Sequence, residues 1–303
     1  MEIIDAFSTN CNYYNTCIAL GNFDGVHIGH QKLISTMISK GKDMGLKSSL
    51  LLFENHTKSI LTKEEPVLIT SNDQKLDVME SLGVELIYKM RFDENIMKLS
   101  GEDFVKEILI NRLNCKSVVI GYDYRFGYKA SGNGEYLREL GKKYEFDVTI
   151  VEPVYLGNII VSSTIIRKLL VEGKVDDASM MLGRNYSLQG KVVPGKKIGN
   201  KLGFPTANID PCDNYVIPKY GVYSTKTKVN GKTYLSATSV GKNPTFEEKS
   251  LKIESHILDF NENIYDQTIE LEFVEYLREE MKFKSIDDLI SQIKMDINKV
   301  KSR

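Results

Sequence analysis

Residues 17–34 read CIALGNFDGVHIGHQKLI, and this stretch decides the fold of the first half of the chain. The segment CIAL has the composition of a buried strand, and residues 29–44 carry apolar side chains at helical spacing. A glycine-rich turn therefore joins a strand to a helix. Backbone N–H groups are exposed at such a junction, and the helix dipole favours negative charge there. The stretch predicts a phosphate site at a helix start.

The alternation of strand and helix continues beyond this turn. Helical patterns occupy residues 72–82, 101–113 and 134–144, and they separate apolar runs at 48–53, 84–88, 117–121 and 147–153. The runs are apolar without alternation, which is typical of a parallel sheet covered on both faces. We predict that residues 1–183 form an α/β doubly wound domain.

The pattern changes after a helical stretch that ends near Gly183. Alternating strand patterns follow at residues 186–193, 221–229, 233–241, 252–260 and 268–277. Asn230 and Gly231 lie between two of them, and Asn-Gly is a strong hairpin signal. These patterns predict a small antiparallel β-barrel over residues 184–303, closed by a terminal helix over 285–300.

Composition narrows the class of partner. The 303 residues include 40 basic and 41 acidic ones. With a net charge of −1, no overall positive electrostatic field favours nucleic acid or an anionic membrane as the main partner. No apolar run approaches the roughly 18 residues of a membrane-spanning helix. The 4 cysteines form no C-x-x-C pair. We expect a cytoplasmic protein with reduced thiols and small-molecule ligands, and the oligomeric state is left open.

His27 and His30 lie three residues apart, on one side of the predicted first helical turn. A zinc site is one alternative, but beyond Asp24 no motif supplies the remaining ligands. An ordinary helix start with two histidines is the other. Glycines, an aspartate and two histidines fall together at a strand-to-helix junction, where α/β folds bind ligands, so a phosphate site is favoured.

Two further clusters in the first half are suited to phosphate chemistry. Asp123 follows a strand at its carboxyl end, where it can contact a ligand or Mg²⁺. Ser162, Ser163 and Thr164 precede Arg167 by one helical turn, so hydroxyl, backbone and guanidinium donors come together. An ordinary N-cap is the alternative for the three hydroxyl residues.

A glycine- and lysine-rich segment, GKVVPGKKIGNKLGFPTANID, covers residues 190–210. Its backbone and lysines could wrap a polyphosphate, and a solvated hairpin is the alternative.

These motifs together resemble a known family. The string GNFDGVHIGHQKLI, with VVIGYDYRFG at 118–127 and VSSTIIR at 161–167, resembles bacterial FAD synthetases, and His27-Ile28-Gly29-His30 is similar to the nucleotidyltransferase signature. In the second half GFPTAN, GVY at 221–223, GKNPTF at 241–246 and ESHILDF at 254–260 resemble the riboflavin kinase domain. The whole chain thus resembles the bacterial bifunctional riboflavin kinase and FAD synthetase (FMN adenylyltransferase) family. His56 falls where the family tends to have a histidine.

The resemblance implies two reactions. The second domain would phosphorylate riboflavin to FMN, and the first would adenylylate FMN to FAD with release of pyrophosphate, with ATP as co-substrate and Mg²⁺ as cofactor. It implies Glu254 as the catalytic base of the kinase, and His27, His30 and Arg167 as catalytic residues of the adenylyltransferase. The implied nucleotide- and phosphate-binding residues are Gly21, Asn22, Phe23, Asp24, Gly25, His27, His30, Asp123, Ser162, Ser163, Thr164, Arg167, Gly195, Lys201, Gly203 and Thr206. The implied flavin contacts are Tyr124, Phe126 and Arg278, and the implied Mg²⁺ ligands are Thr206, Asn208 and Asp123.

Two departures bear on the kinase half. The family commonly has Arg-Gly-Arg where this chain has residues 198–201, IGNK, and Gly-Arg-Pro where it has Gly183-Arg184-Asn185. A lysine offers a point charge instead of the bidentate fork of an arginine. The residues at 198–201 favour one rival hypothesis, a single-activity enzyme whose second domain is regulatory. The other rival is a nucleotide- or flavin-binding regulator without turnover.

Overall fold

The computed structural model describes residues 1–8, 13–54, 67–195, 198–242 and 251–302, and at Ile198 and Lys201 it describes the backbone alone. His56, Cys11 and residues 243–246 of the GKNPTF motif lie outside the described residues. The predicted phosphate contact of the Lys201 side chain is outside them as well.

The chain divides into two compact units. The N-terminal unit comprises Met1–Pro66 and Asn72–Ser162, and the C-terminal unit comprises Val67–Ser71 and Ser163–Arg303. Residues 163–183 group with the second unit in this division. The predicted domain boundary after residue 183 stays a prediction.

The N-terminal unit is built on a six-stranded sheet in the order β1-β4-β3-β2-β5-β6, and every strand pair in it is parallel. Its strands are β1 (Glu2–Asp5), β2 (Thr16–Leu20), β3 (Lys47–Phe53), β4 (Leu86–Met90), β5 (Cys115–Gly121) and β6 (Asp147–Val151). Its helices are α1 (Ile28–Met44), α2 (Asn72–Ser81), α3 (Glu94–Lys98), α4 (Gly101–Asp103), which continues as a π-helix over Phe104–Arg112, and α5 (Gly134–Tyr144). A short hairpin, β7 (Tyr155–Leu156) and β8 (Ile159–Ile160), follows the sheet. The doubly wound prediction is confirmed.

Burial on both faces explains the apolar strands. In β2, Ile18 and Leu20 belong to one buried cluster, and Cys17 and Ala19 belong to the cluster on the other face. A strand covered on both sides loses the alternation of a half-exposed strand. Because β2 is packed on both faces, the glycine turn that follows Leu20 starts from a fixed position in the sheet.

The C-terminal unit contains a closed antiparallel barrel in the order β10-β13-β12-β11-β14-β9, as predicted. Its strands are β9 (Tyr186–Val193), β10 (Ala207–Pro211), β11 (Gly221–Val229), β12 (Lys232–Lys242), β13 (Leu251–Ile257) and β14 (Thr268–Arg278). Its helices are α6 (Ser163–Val171), α7 (Val175–Leu182), α8 (Ile198–Lys201) and α9 (Ile286–Lys301). Strand β10 begins inside the glycine- and lysine-rich segment, in a part for which the sequence analysis named no strand.

Local signals account for two features of this unit. Asn230 and Gly231 have φ of 51° and 71°, the left-handed conformation that both central residues of a type I′ hairpin need. The Ser285 hydroxyl accepts the N–H of Asp288 at 3.1 Å and so caps α9.

Hydroxyl side chains fill part of the barrel interior. Thr225, Thr227, Ser236, Thr238 and Ser255 are fully buried. Thr225 Oγ1 lies 2.7 Å from the hydroxyls of both Ser236 and Thr238, and Thr238 donates to Ser255 at 2.9 Å. These bonds satisfy polar groups that would otherwise be costly to bury.

In the described part of the chain, none of the helices combines the length and the apolar character needed to span a bilayer. Among the described cysteines, Cys17 and Cys115 are buried, Cys212 is exposed, and all three are free thiols.

Candidate active sites

The glycine turn of residues 21–26 leaves the carboxyl end of β2, which lies between β3 and β5 in the sheet. Strand connections diverge at this position, and open α/β sheets bind ligands there. Phe23 and Val26 have φ of 49° and 40°, and Gly25 has φ of 83°. Positive φ at two residues with a side chain is a strained conformation that concentrates at functional sites.

The predicted phosphate residues of this turn differ in exposure. Asn22 is exposed, whereas Phe23, Asp24 and Gly25 are buried. The Phe23 ring lies 5.3 Å from the His30 ring, between centroids. A Cβ on Gly21 would stand 3.2 Å from the same Phe23 ring, so glycine lets the turn close over it.

His27 and His30 lie against each other at the start of α1. Their rings are stacked with centroids 3.7 Å apart and planes 16° apart. The backbone N–H of His30 donates to His27 Nδ1 at 3.3 Å. A neutral His27 therefore carries its proton on Nε2 and can donate from that atom. A Cβ on Gly29 would stand only 3.1 Å from His27 Cε1 and Nδ1, so glycine at this position lets the ring occupy its place.

His30 is held as the neutral imidazole. Burial, followed by the charges of His27 and Lys75, lowers the pKa of His30 well below its ordinary value. Its Nδ1 atom is buried and has no hydrogen-bond partner within the described residues. An orphaned buried polar atom beside the glycine turn is a group that a ligand can satisfy.

Asp123 is exposed two residues beyond β5, at the same edge of the sheet. Tyr124 and Phe126 are stacked with centroids 6.0 Å apart, and Phe126 is stacked on Tyr136 at 6.1 Å. Phe126 belongs to the buried core, while Tyr124 is half-buried, and burial raises the pKa of the Tyr124 hydroxyl. The stack supports the loop that carries Asp123. The flavin contacts of both aromatic residues stay predictions.

The hydroxyl cluster is divided between the units. Ser162 belongs to the N-terminal unit, where the carbonyl of the preceding Val161 lies 3.9 Å from the position of a Cβ on Gly29. Residues 161–162 are thereby brought beside the histidine turn. Ser163 begins α6, followed by Thr164, in the C-terminal unit.

Arg167 lies one turn further along α6. Its guanidinium donates to the carbonyl of Val67 through Nε at 3.4 Å and Nη2 at 3.3 Å. Both residues belong to the C-terminal unit. The catalytic role of Arg167 stays a prediction.

The barrel brings the predicted kinase base and a predicted Mg²⁺ ligand together. Asn208 on β10 is paired directly with Glu254 on β13. Directly opposed residues of an antiparallel pair point to the same face, with Cβ atoms about 5 Å apart. Glu254 also forms an ion pair with Lys252, at 2.8 Å between Oε2 and Nζ.

Glycines shape the segment beside this pair. A Cβ on Gly195 would overlap the side-chain amide of Asn208, and a Cβ on Gly199 would stand 3.4 Å from Thr206 Oγ1. Gly203 has φ of 85° and makes the turn before Phe204. The hydroxyl of Thr206 and the side-chain carbonyl of Asn208 are oxygen donors of the kind that Mg²⁺ takes, so these two residues fit the ion.

The described residues contain no group of three or more His, Cys, Asp or Glu side chains that could hold a metal ion. The zinc alternative for His27 and His30 therefore has no ligand set within them.

Comparisons with known proteins match each half of the chain to a family. Residues 10–165 match the family model described as FAD synthetase, and residues 182–303 match the one described as riboflavin kinase. A protein of Buchnera aphidicola subsp. Schizaphis graminum, named bifunctional riboflavin kinase/FMN adenylyltransferase, is 39% identical over 292 residues, which cover 95% of this chain and 93% of the relative. A protein of Listeria monocytogenes with the same name is 38% identical over 287 residues, 93% of this chain and 90% of the relative. The chain belongs to the bifunctional riboflavin kinase/FMN adenylyltransferase family.

A solved structure shares the fold over 95% of this family member. It is from Streptococcus pneumoniae, described as a macrolide-efflux protein, with a TM-score of 0.88, 30% identity and coverage of 95% of both chains.

Arg278 of this family member forms an ion pair with Asp296, which the sequence analysis did not predict. Its Nη2 and Nε atoms donate to the carboxylate of Asp296 on α9 at 2.7 and 3.0 Å, and its Nη1 donates to the carbonyl of Glu279. The pair ties α9 to the end of β14. The predicted flavin contact of Arg278 is not tested by this geometry and stays a prediction.

Two residues that the sequence analysis did not single out lie beside the predicted site residues of this family member. His256 lies two residues beyond Glu254 on the same face of β13, and its Nδ1 is 2.7 Å from the carbonyl oxygen of Pro205. The two-residue period of a strand was the signal that could have found it. Lys75, on α2, acts electrostatically on His30, and nothing local in the sequence marks it.

Proposed function

We propose that the N-terminal unit transfers the adenylyl group of ATP to FMN, giving FAD and pyrophosphate, and that the C-terminal unit transfers the γ-phosphate of ATP to riboflavin, giving FMN and ADP. One observation carries the proposal: each family match contains one of the two residue clusters described above. The stacked histidines lie within residues 10–165, and the Asn208–Glu254 pair lies within residues 182–303. The product of the second unit is then the substrate of the first.

Adenylyl transfer needs charge stabilisation more than it needs a base. An oxygen of the FMN phosphate forms a bond to the α-phosphorus of ATP, and the bond to the pyrophosphate oxygen breaks. The nucleophile is already an anion. His27 Nε2–H and the N–H groups at the start of α1 donate to the phosphates as their charge shifts. His30, Arg167, the hydroxyls of residues 162–164 and residues 21–25 complete the proposed phosphate site.

The kinase step has a different requirement, because its nucleophile is a neutral alcohol. Glu254 accepts the proton of the riboflavin 5′-hydroxyl as the oxygen attacks the γ-phosphorus, and ADP leaves. Thr206 and Asn208 would hold Mg²⁺, which neutralises phosphate charge when it is bound. Gly195, Lys201 and Gly203 belong to the proposed phosphate-binding segment, and Arg278 to the proposed flavin site.

The proposal extends to cofactor, ligands and location. Asp123 is the proposed Mg²⁺ ligand in the first unit, and Tyr124 and Phe126 are its proposed flavin contacts. The proposed partners are riboflavin, FMN and ATP, without nucleic acid or membrane, in the cytoplasm. We also propose residue 183 as the last of the first domain.

The test is a time course with the purified protein, riboflavin, ATP and Mg²⁺, in which chromatography separates riboflavin, FMN and FAD. The double substitution His27→Ala and His30→Ala should abolish FAD formation and leave FMN formation nearly intact. Glu254→Gln should abolish FMN formation and leave FAD formation from supplied FMN. Glu262→Gln, at an exposed carboxylate outside the site, is the matched control. Loss of both activities in a folded single-site variant, or binding without any product, would contradict the proposal.

A further inference from the structure

A buried lysine lies in the N-terminal unit and has no part in the proposed mechanism. Lys75, in the first turn of α2, is only 8% exposed. Lysine is rarely buried to this degree unless its ammonium is held by polar partners or has a function, because desolvation of the charge is costly. Its Nζ donates to Asn72 Oδ1 at 3.2 Å.

Asn72 fixes the position of this lysine in the fold. The Asn72 side chain also donates through Nδ2 to the carbonyl of Glu54, at 3.0 Å, just beyond the carboxyl end of β3. Strand β3 pairs in parallel with β2, from which the glycine turn leaves. Carboxyl ends of adjacent parallel strands share one edge of the sheet. The ammonium of Lys75 is therefore anchored at the edge that carries His27 and His30.

His30 responds to this charge. Burial, and after it the charges of His27 and Lys75, lower the pKa of His30. Lys75 brings a fixed positive charge to the edge that carries the histidines and the buried carboxyl group of Asp24, and negative charge is what a nucleoside triphosphate brings. A cation held in place before the substrate arrives costs no reorganisation when charge develops.

We propose that Lys75 is a further catalytic residue of adenylyl transfer, whose ammonium contacts the phosphates of ATP beside His27 and His30. This inference rests on the proposed function of the N-terminal unit. Lys75 takes no proton: as the FMN oxygen bonds to the α-phosphorus, the bond to the pyrophosphate oxygen breaks, and the electron pair leaves with pyrophosphate. The ammonium stabilises the charge of that leaving group and keeps His30 neutral, and Asn72 positions it.

The experiment compares Lys75→Gln, which removes the charge, with Lys75→Arg, which keeps it. Lys116→Gln is the matched control, because Lys116 is exposed at the amino end of β5, the opposite edge of the sheet. Initial rates of FAD formation from FMN and ATP, the unfolding temperature and the FMN-forming activity are measured for each. Lys75→Gln should lower kcat/KM for ATP by about 100-fold, the scale of one preorganised donor. Lys75→Arg should recover at least about a tenth of wild-type activity, and FMN formation should not change.

A second measurement separates catalysis from a purely structural role. The chain has only 4 histidines, so their imidazole signals can be followed by NMR against pH. In Lys75→Gln the His30 signal should titrate at a higher pH than in the wild type, because the positive charge of Lys75, which disfavours the imidazolium, is gone. An unchanged titration would show that the lysine does not face His30.

Three results would overturn the proposal: FAD formation by Lys75→Gln within about 3-fold of the wild type, equal inactivity of the arginine and glutamine variants at unchanged unfolding temperature, or an unchanged His30 titration. If Lys75→Gln does not fold, the proposal is tested on the wild-type protein. A non-hydrolysable ATP analogue should then shift the NMR signal of the Lys75 ammonium, and an unshifted signal would overturn the proposal. Failure of the wild type itself to make FAD would instead refute the proposed function.

Discussion

Replacing Gly29 with alanine should lower adenylyl transfer without weakening the fold. A Cβ on Gly29 would stand 3.1 Å from Cε1 and Nδ1 of His27, so the ring must move by a few tenths of an ångström to reach ordinary contact. A misplacement of about 1 Å can cost 100-fold in rate. If the logarithm of the rate scales with displacement, a shift of about 0.3 Å costs roughly 4-fold.

Stability should move the other way or stay constant. Gly29 is the second residue of α1, and alanine is favoured over glycine in a helix by about 0.5–1 kcal/mol. FAD formation from FMN measures the rate, thermal unfolding measures the fold, and FMN formation is the internal control. Ser39→Ala, at an exposed position of the same helix, controls for helix propensity. Unchanged FAD formation in Gly29→Ala, or a lowered unfolding temperature that accounts for the loss, would refute the reasoning.

Three further substitutions test other contacts. Asp296→Leu leaves Arg278 without its buried partner and should destabilise the C-terminal unit by about 3 kcal/mol in chemical denaturation, with recovery on adding Arg278→Met; wild-type stability of the single variant would contradict this. Gly195→Ala places a Cβ on the Asn208 amide and should lower FMN formation about 10-fold, while FAD formation from supplied FMN stays constant; a fully active kinase would disprove the placement. Because the folded state resists protonation of His30 and the unfolded state does not, the stability of the N-terminal unit should fall as pH drops below about 6.5, and His30→Gln should flatten that dependence; an identical pH profile of unfolding would count against it.

Local signals were sufficient to predict the two folds, but not every strand in them. Apolar strands buried on both faces predicted the parallel sheet, Asn230-Gly231 predicted the hairpin, and Ser285 predicted the start of α9. Strand β10 was missed because its residues have no strand pattern of their own. It forms by pairing with β9, on the other side of the glycine-rich segment, and with β13, which is distant in the chain.

The site was predictable only as far as motifs reach. The histidine turn could be placed because strand, glycines and helix are contiguous. The pairing of Asn208 with Glu254 depends on barrel register, which no local pattern reports. Arg278 and Asp296 are 18 residues apart, with the start of α9 between them, so their ion pair could not be inferred either.

The assignment of Val67–Ser71 to the C-terminal unit has a consequence for protein synthesis. Leu68 donates its N–H to the carbonyl of Asn214 and accepts the N–H of Val216, both at 2.8 Å. During translation this short segment emerges with the first unit, and at roughly 5–20 residues per second its partner residues follow on the order of ten seconds later. The five residues Val67–Ser71 therefore lack these hydrogen-bond partners while the rest of the first unit is synthesised. A gene fragment that starts at residue 184 would encode a barrel from which this partner of Asn214 and Val216 is missing.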